Sequence, residues 1–390
     1  MASHRLAIER MVAGGDALAR EPSGRVVFVP GALPGEVVDV EITSWKKDFA
    51  RGRLVEVVEV SANRRVAPCA ALARGCGGCD WQHVDPAAQL DLKVEVVREA
   101  LRRTAKLPDA MVVGGARVDP LAYRTSLRLA VAADGRVGLR RERSNDQVDL
   151  DHCLVAHPNL AAMLAPLRIA GAEEVSVRVS AATGEATAWW TPHDARAEGL
   201  DPDVRTGSRA SLTEVVSGVA LRVSAESFFQ SGPAAAAVLV DAVEALAGDA
   251  LRSARRVVDA YGGIGLFAAT IAPATAEVVL VECSAASCAD ARVNLAGRSA
   301  RVFEGAVEEW RADPADVVIA DPSRRGLGPD GTAAVAAAGA PVLVLVSCDP
   351  VSLARDAGLL RERGYRHETT TVVDLFPHTH HVEAVTRFVK

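Results

Sequence analysis

The chain has 390 residues, of which 49% are hydrophobic and 24% charged, a composition that excludes collagen-like, largely disordered and small disulfide-bonded proteins. The net charge of -6 argues against binding nucleic acid by electrostatics alone, although residues 1–150 carry a net +3 and residues 151–390 a net -9. The length suggests two or three domains.

No stretch approaches the ~18 uncharged apolar residues of a membrane-spanning helix. The first ten residues, MASHRLAIER, lack the apolar centre of a signal peptide. We therefore expect no contact with a membrane and a cytoplasmic location.

Residues 1–60 contain short alternating or apolar segments separated by turns rich in glycine and proline. Such segments predict β-strands, and about five strands in so short a stretch favour a small barrel of the OB type. The alternative is a generic β-structured appendage. The predicted strands lie near residues 4–12, 25–30, 35–42 and 52–59.

Residues 61–225 begin with a cysteine-rich loop, and a helix is predicted over 89–106 because Leu90, Val94, Val97 and Leu101 recur at helical spacing. The end of this helix is basic, which indicates either a solvated face or a contact with nucleic acid. Residues 120–225 have the pattern of antiparallel strands.

The seven cysteines are an odd number in a chain without a signal peptide, which points to metal binding or catalysis rather than disulfides. Cys69, Cys76 and Cys79 form a tight loop, and Cys153 is the candidate fourth ligand. Four thiolates can hold zinc or an iron–sulfur cluster. The three-plus-one spacing departs from the paired knuckles usual for zinc. Cys283 and Cys288 are expected to be core residues.

From residue 226 onward, strands alternate with helices, which predicts a doubly wound, mostly parallel sheet. A helix is predicted over 233–248, and another follows the second strand as far as about 296. The predicted strands are 256–259, 278–282, 316–320, 342–346, 366–374 and 382–389.

Polar or reactive side chains stand at the carboxyl ends of four of these strands: Asp259, Glu282, Asp321 and Cys348. Ligands of such sheets bind at that edge. The four residues are therefore candidates for one site. For Asp321 alone, a helix cap or turn is the alternative, and for Cys348 alone, an inert buried thiol.

The turn after the first of these strands contains Gly263-x-Gly265-x-x-Ala268, which fits a dinucleotide fingerprint. A carboxylate at Asp259 is unfavourable beside a pyrophosphate but can pair with a ligand ammonium. This favours S-adenosylmethionine over NAD. Glu282 suits the ribose hydroxyls of either cofactor. Cys348 precedes a helix, where we expect a lowered thiol pKa and nucleophilic character.

Taken together, the sequence resembles the bacterial RNA 5-methyluridine methyltransferases, which use S-adenosylmethionine. The resemblance covers nearly the whole chain. It is carried by residues 27–36, by the four cysteines with Trp81-Gln82-His83, by Phe228-Phe229-Gln230, by Ser347-Cys348-Asp349-Pro350 and by the motif at 374–383.

The resemblance implies three domains: an OB-like TRAM barrel at 1–60 that binds RNA, a central α+β domain with an iron–sulfur loop at 61–225, and a class I α/β methyltransferase domain at 226–390. It implies methylation of carbon 5 of a uridine through a covalent cysteine adduct in tRNA or rRNA, by a monomer. The implied residues are Cys348 as nucleophile, Glu383 as base, Gln230, Tyr261, Glu282 and Asp321 for cofactor or uracil, and Cys69, Cys76, Cys79 and Cys153 for a 4Fe–4S cluster.

Several positions depart from the pattern of the family, and they bear on cofactor affinity and substrate rather than on the central catalytic groups. They are Gly232, Leu266, Ala306, Ser323 and Asp349. Two rival functions follow from the same residues. One is an oxidoreductase that binds a dinucleotide at the glycine turn, and the other is a non-catalytic iron–sulfur protein that binds RNA.

Overall fold

The computed structural model describes residues 3–142, 144–150 and 152–390. Its N-terminal part is a closed five-stranded barrel of order β1-β2-β3-β5-β4, as predicted. The alternating strands turn Leu6, Ile8, Val27 and Val29 inward, and closure leaves no free strand edge. The short β2 was not expected from the sequence. The strands are β1 (His4–Met11), β2 (Ala17–Arg20), β3 (Val26–Val29), β4 (Val37–Trp45) and β5 (Phe49–Glu59).

A helical segment joins the barrel to the rest of the protein. It contains α1 (Ala70–Ala73), α2 (Pro86–Ala100), a π-helical turn (Leu101–Ala105) and β6 (Val112–Arg117). The helix α2 starts earlier than predicted because Asp85 caps it by accepting from the amide of Ala87 at 2.8 Å. Val96 packs into the barrel core, whereas Val94 and Val97 pack into the core of the C-terminal sheet. One helix therefore fixes the barrel against the C-terminal part.

The central part is built on a six-stranded sheet of order β14-β12-β11-β7-β8-β9. It is antiparallel, as expected, except that β14 runs parallel to β12. Leu160 and Leu164 of α3 pack on Val175 and Val177 of β11. The elements are β7 (Ser126–Val131), β8 (Val137–Arg140), β9 (Gln147–Asp149), α3 (Pro158–Leu164), β10 (Arg168–Ala170), β11 (Glu174–Val179), β12 (Ala186–Thr191), β13 (Arg196–Glu198), β14 (Arg205–Thr206), β15 (Ser211–Val216) and β16 (Val219–Ser224).

The C-terminal part is an eight-stranded sheet of order β19-β18-β17-β20-β21-β23-β22-β6, with β23 antiparallel to its neighbours. Its elements are α4 (Pro233–Arg252), β17 (Arg256–Ala260), α5 (Leu266–Thr270), β18 (Glu277–Glu282), α6 (Ala285–Asn294), β19 (Ala300–Glu304), a 3-10 turn (Val307–Glu309), β20 (Val317–Ala320), α7 (Gly328–Ala337), β21 (Val342–Ser347), α8 (Pro350–Glu362), β22 (Arg366–Asp374) and β23 (Glu383–Val389).

The predicted multidomain fold class, with a barrel followed by a doubly wound sheet, is confirmed. The central strands β20 and β21 are buried throughout because helices cover both faces of the sheet. The edge strand β6 lies in the predicted central segment but extends this sheet, so the domain limits at 60 and 225 stay a prediction. No helix in the described part of the chain is long and apolar enough to cross a membrane.

Candidate active site

The carboxyl ends of four neighbouring strands bring the predicted residues to one edge of the sheet. Ala260 is paired with Val281 on one side and with Ala320 on the other, and Ala320 is paired with Leu345. Asp259, Glu282, Asp321 and Cys348 lie at or just beyond these pairs. The structure therefore brings together the four residues that strand ends alone had singled out.

Cys348 and Glu383 approach each other through the antiparallel pairing of β21 and β23. Ser347 is paired with Ala384, so Cys348 and Glu383 are the adjacent residues at the same end of the two strands. Glu383 is only 4% exposed, and Cys348 is partly buried. The register thus places a thiol beside a buried carboxyl group.

The expected lowering of the Cys348 pKa is wrong. Burial, followed by the charges of Glu383 and Asp321, raises the pKa of the Cys348 thiol to about 11, although Arg324 opposes this shift. Cys348 also lies before the helix cap, because Asp349 caps α8 by accepting from the amide of Ser352 at 2.7 Å. Burial and the two carboxyl groups outweigh Arg324 and the backbone amide of Cys348.

The two carboxyl groups at this site also favour their protonated forms. Burial raises the pKa of Asp321 to about 7, and burial together with the charge of Asp321 raises the pKa of Glu383 well above its usual range. Two buried like charges at one site cannot both form cheaply. Both carboxyl groups therefore bind their protons more tightly than exposed carboxyl groups do.

The structure also places a cationic side chain, Arg324, near Cys348. Its Nη2 lies 3.2 Å from Nδ1 of His381, and its carbonyl accepts from the Ser352 hydroxyl at 2.9 Å. Burial, followed by the charges of His380 and Arg324, lowers the pKa of His381 to about 4, so its ring is neutral at pH 7. The neutral Nδ1 can accept from Arg324. The Asp-Pro-Ser-Arg segment contained this cation, but nothing in the sequence indicated its partner.

Glu282 organises the glycine turn between β17 and α5. One of its carboxylate oxygens accepts from the amide of Gly263 at 3.0 Å and the other from the amide of Ser284 at 2.7 Å. Tyr261 and Gly263 both have positive φ, of 58° and 54°. The Tyr261 hydroxyl donates to Glu308 at 3.1 Å, and burial with the Glu308 charge raises the pKa of Tyr261. Glu282 thus fixes the backbone of the turn, and Glu308 fixes the side chain of Tyr261.

Asp259 is the buried acid beneath this turn. One carboxyl oxygen accepts from the amide of Ala268 at 3.0 Å, and the other, Oδ1, is buried without a partner within the described chain. Burial raises the Asp259 pKa to about 8, and the charges of Asp321 and Glu282 act in the same direction, against the Ala268 amide. An unpartnered carboxyl oxygen of this kind suits a cationic ligand group.

The Phe228-Phe229-Gln230 segment is held by a residue of the predicted helix α6 that the sequence analysis did not single out. Asp290 of α6 is fully buried and accepts from the Ser224 and Ser227 hydroxyls, each at 2.7 Å. Phe228 is 70% exposed, whereas Gln230 is buried and lines a cavity of about 780 Å³. The structure brings Gln230 to this cavity. The signal in the sequence was Asp290, an acidic side chain among the residues that α6 buries, which indicates buried hydrogen-bond partners.

The four predicted metal-binding cysteines line the same cavity as Gln230. Cys76 and Cys79 are buried, and Cys69 and Cys153 are half-buried. Burial, followed by weaker effects that include neighbouring thiolates, raises the pKa of Cys79 to about 11 and also raises those of Cys76 and Cys153. In the described residues, no three His, Cys, Asp or Glu side chains form a group that could hold a metal ion.

Direct contacts connect the cysteine loop to the motif that leads into Glu383. Asp80 accepts from the amide of His380 at 3.0 Å and lies 2.5 Å from its Nδ1. The buried Lys93 of α2 forms an ion pair with Asp374 at 2.7 Å. Sequence reasoning missed these contacts, although a lysine inside the apolar stripe of α2 was a visible signal for a buried partner.

The two remaining cysteines differ from each other. Cys288 is fully buried and donates to the carbonyl of Glu282 at 3.2 Å, as expected for a core residue. The same expectation is wrong for Cys283, which is exposed because it lies in the connection between β18 and α6.

Comparisons with known proteins agree with this architecture. Residues 5–55 match the TRAM domain family. The chain is 34% identical to an RNA methyltransferase of Streptomyces avermitilis, over 95% of this chain and 94% of the relative. It is also 34% identical to the 23S rRNA (uracil(1939)-C(5))-methyltransferase of Chromohalobacter salexigens, over 97% and 88%.

A solved structure has the same fold over its whole length. It is the tRNA (uracil-54, C5)-methyltransferase of Pyrococcus abyssi in complex with S-adenosyl-L-homocysteine. The match covers 100% of both chains with a TM-score of 0.75 and 23% identity. The barrel, the central part and the doubly wound sheet therefore form one architecture that recurs in a distant protein.

Proposed function

The chain belongs to the family of RNA (uracil-C5)-methyltransferases with a TRAM domain, and from this premise we propose that it methylates carbon 5 of one uridine in RNA through a covalent adduct with Cys348. The methyl donor is S-adenosylmethionine. The observation that carries the proposal is the register between β21 and β23, which aligns Cys348 with the buried Glu383.

The cofactor fits the residues around the glycine turn. The unpartnered Oδ1 of Asp259 can accept from the ammonium of the methionine moiety, and the carboxylate of Glu282 retains lone pairs for ribose hydroxyls. A dinucleotide would bring its pyrophosphate near Asp259, which disfavours the oxidoreductase alternative. Tyr261 and Gln230 are proposed as further contacts. S-adenosylmethionine supplies a methyl group on a positively charged sulfonium.

A uracil ring needs activation because its carbon 5 is a weak nucleophile. We propose that the Cys348 thiolate adds to carbon 6 and that the displaced electron pair moves onto the ring as an enolate. Carbon 5 then takes the methyl group, and the bond between the methyl carbon and the sulfur of S-adenosylmethionine breaks. Glu383 removes the proton from carbon 5, and the returning electron pair expels the Cys348 thiolate. The target uridine must leave its stack to reach the sheet edge.

The acidic groups of the site have distinct tasks in this scheme. Glu383 must be ionised when it acts as the base, and Asp321 is proposed to hold the uracil or the cofactor. The charges of Glu383 and Asp321 disfavour the thiolate, and Arg324 favours it. A cation bound at this edge would lower all three raised pKa values, since positive charge favours ionised acids. Intact Cys348 and Glu383 also disfavour the non-catalytic alternative.

Cys69, Cys76, Cys79 and Cys153 are proposed to hold a 4Fe–4S cluster. Supporting observations are their shared cavity and the mutual repulsion of their thiolates, which a cationic cluster core would relieve. Methyl transfer needs no electron, so the cluster is assigned a structural or RNA-positioning task. We also propose that the protein is a monomer and acts in the cytoplasm.

Mass spectrometry of nucleosides from a deletion strain tests the function. We expect the loss of one 5-methyluridine from 23S rRNA, because the bacterial relatives with that name are 30–34% identical to this chain. The wild-type gene should restore the modification, and a Cys348→Ala gene should not. A 5-methyluridine missing from tRNA would instead identify tRNA as the substrate. Unchanged 5-methyluridine in both RNAs would contradict the proposal.

A further inference from the structure

The turn that joins β1 to β2 in the barrel lies against the segment that leads into the last strand. A Cβ atom added at Gly15 of this turn would lie 2.7 Å from the Cβ atom of His380 and 2.9 Å from a carboxylate oxygen of Asp80. The turn can approach these two side chains so closely because position 15 carries no side chain of its own. We call Gly15, Asp80 and His380 the histidine junction.

Asp80 holds His380 by two contacts within this junction. One carboxylate oxygen accepts from the backbone amide of His380 at 3.0 Å, and the other lies 2.5 Å from Nδ1 of its ring. The amide of Trp81 donates to the carbonyl of His378 at 2.8 Å, and the Trp81 indole donates to the carbonyl of Gly15 at 3.2 Å. Hydrogen bonds therefore connect the barrel turn, the cysteine loop and the segment around His380.

A chain of contacts leads from the junction towards the nucleophile. The rings of His380 and His381 are neighbours, with centroids 4.5 Å apart. The neutral Nδ1 of His381 can accept from Nη2 of Arg324, which lies 3.2 Å away. The charge of Arg324 in turn acts on the Cys348 thiol. The barrel turn is thus connected to Cys348 through two histidine rings and one arginine.

The position of Arg324 matters because the other side chains around the thiol oppose its ionisation. Burial and the charges of Glu383 and Asp321 disfavour the Cys348 thiolate. Arg324 and the backbone amide of Cys348 favour it. Arg324 is exposed, and an arginine side chain without a partner samples many rotamers. A contact that holds its guanidinium in place therefore preserves its effect on the thiol.

We propose that His380 is a positioning residue: held by Asp80 and the Gly15 turn, it fixes the ring of His381, which orients Arg324 towards Cys348. This role rests on the proposed function, in which Cys348 is the nucleophile. The barrel thereby influences the reactivity of the thiol through contacts within the chain. An intact junction increases the fraction of Cys348 that is ionised near neutral pH.

Alkylation by iodoacetamide tests the proposal in the protein without RNA or cofactor, because the thiolate is the form that reacts. Mass spectrometry of the Cys348 peptide gives the rate, and the exposed Cys283 of the same molecule is the internal reference. At pH 8 we expect His380→Ala to slow alkylation of Cys348 by about threefold or more, since about half a pKa unit changes the thiolate fraction by that factor. The rate at Cys283 should not change.

A double variant tests the route through Arg324. If His380 acts through Arg324, His380→Ala should slow alkylation of Cys348 no further in an Arg324→Gln protein, because residues that act through one another are not additive. The same loss of rate in both backgrounds would show that His380 acts on Cys348 by another route and would overturn the proposal.

Two neighbouring glycines provide a matched pair on the barrel side. Gly14 and Gly15 have φ of 94° and 90°, but a Cβ atom at Gly14 would meet open space. Alanine at either position has similar backbone strain, and of the two variants Gly15→Ala alone pushes on His380. We expect Gly15→Ala to slow alkylation of Cys348 and Gly14→Ala to match the wild type. Equal rates for the two would overturn the proposal, even if His380→Ala does not fold.

Alkylation needs neither RNA nor S-adenosylmethionine, so its outcome is independent of methyl transfer. A wild-type rate at Cys348 in the His380→Ala protein would overturn the positioning role and leave the proposed function intact. A wild-type protein that forms no 5-methyluridine would instead overturn the proposed function, whatever the alkylation rates.

Discussion

At the strand-end site, acidic groups are positioned by the register of a mostly parallel sheet that includes the antiparallel pair β21–β23, whereas at the cysteine cavity the thiols are positioned by loops. In both places burial raises pKa values, to about 11 for Cys348 and also to about 11 for Cys79. Each cluster has a nearby arginine, Arg324 in the first and Arg124 in the second, but the acidic side chains of the first lie at strand ends of one β-sheet. The second draws Cys153 from a distant part of the sequence to the loop at Cys69.

The difference shows how each cluster can lose its protons. In the proposed mechanism, single protons leave and return at the strand ends during turnover, and the groups there are positioned by one sheet. At the cysteine cavity, a metal cluster would displace the protons once, on assembly. The contacts of Asp80 with His380 and of Lys93 with Asp374 connect the two places. Each prediction below tests one side of this comparison.

The largest expected effect separates the nucleophile from the base. Cys348→Ala should abolish both methylation and any covalent RNA adduct. Glu383→Gln should still form the carbon–sulfur bond and transfer the methyl group, but should stall as a methylated adduct and lose about 10²–10⁴-fold in turnover. Denaturing gels with labelled RNA and labelled cofactor distinguish these outcomes.

The exposed Cys283 offers a matched control for this experiment. Cys283→Ala should still form the covalent adduct, because that thiol follows β18, which two strands separate from β21. A stable adduct in the Cys348→Ala protein would show that another thiol is the nucleophile.

The cysteine cavity is tested by its iron content. Protein purified without oxygen should be brown and contain about four irons per chain if the four thiolates hold one cluster. Cys153→Ala should lose most of this iron, and Cys283→Ala should retain it. A colourless wild-type protein with one zinc would contradict the cluster assignment.

Cofactor binding should depend on Glu282. Charge-assisted hydrogen bonds are worth about 1.5–3 kcal/mol each, so Glu282→Ala should weaken S-adenosylmethionine binding at least tenfold. It also removes the acceptor for the amides of Gly263 and Ser284. The control is Glu304→Ala, which removes an exposed carboxylate at the end of β19, next to Glu282 in register. Isothermal calorimetry that finds equal affinities for both variants would place the cofactor elsewhere.

Strand ends were predictable because runs of apolar residues stop abruptly at Asp259, Glu282, Asp321 and Cys348. The edge strand β19 was missed because its residues are half-exposed and lack such a run. Contacts across the chain, such as Lys93 with Asp374, have no periodic signal. The raised pKa of Cys348 depends on burial and on carboxyl groups at the ends of two other strands, so the sequence around its helix could not predict it.

The departure at Gly232 has a steric cause that stability measurements can test. A Cβ atom there would lie 2.3 Å from the carbonyl oxygen of Tyr123, so neither asparagine nor alanine fits without a backbone shift. Gly232→Asn should destabilise the protein by about 1–3 kcal/mol. The matched control, Gly358→Ala in α8, has open space and should be neutral or stabilising. Urea unfolding measures both, and an equally stable Gly232→Asn protein would contradict the steric account.

The smallest effect concerns Asp259 and the pH dependence of stability. Its pKa is about 8 in the folded chain against an ordinary value of 3.8. Between these values the folded chain retains a proton that the unfolded chain has lost. Stability therefore falls as pH rises through this window, by about 1 kcal/mol per pH unit, and levels off above pH 8.

Asp259→Asn removes this titration while keeping an oxygen for the amide of Ala268. Its free energy of unfolding should fall less than that of the wild type between pH 5.5 and 7.5, by about 1 kcal/mol per pH unit. Asp241→Asn, which alters an exposed carboxylate on α4, should follow the wild type. Urea unfolding at several pH values provides the curves. Parallel curves for the wild type and Asp259→Asn would show that Asp259 is already ionised in the folded chain. The carboxyl groups with raised pKa at this site would then be Asp321 and Glu383 alone.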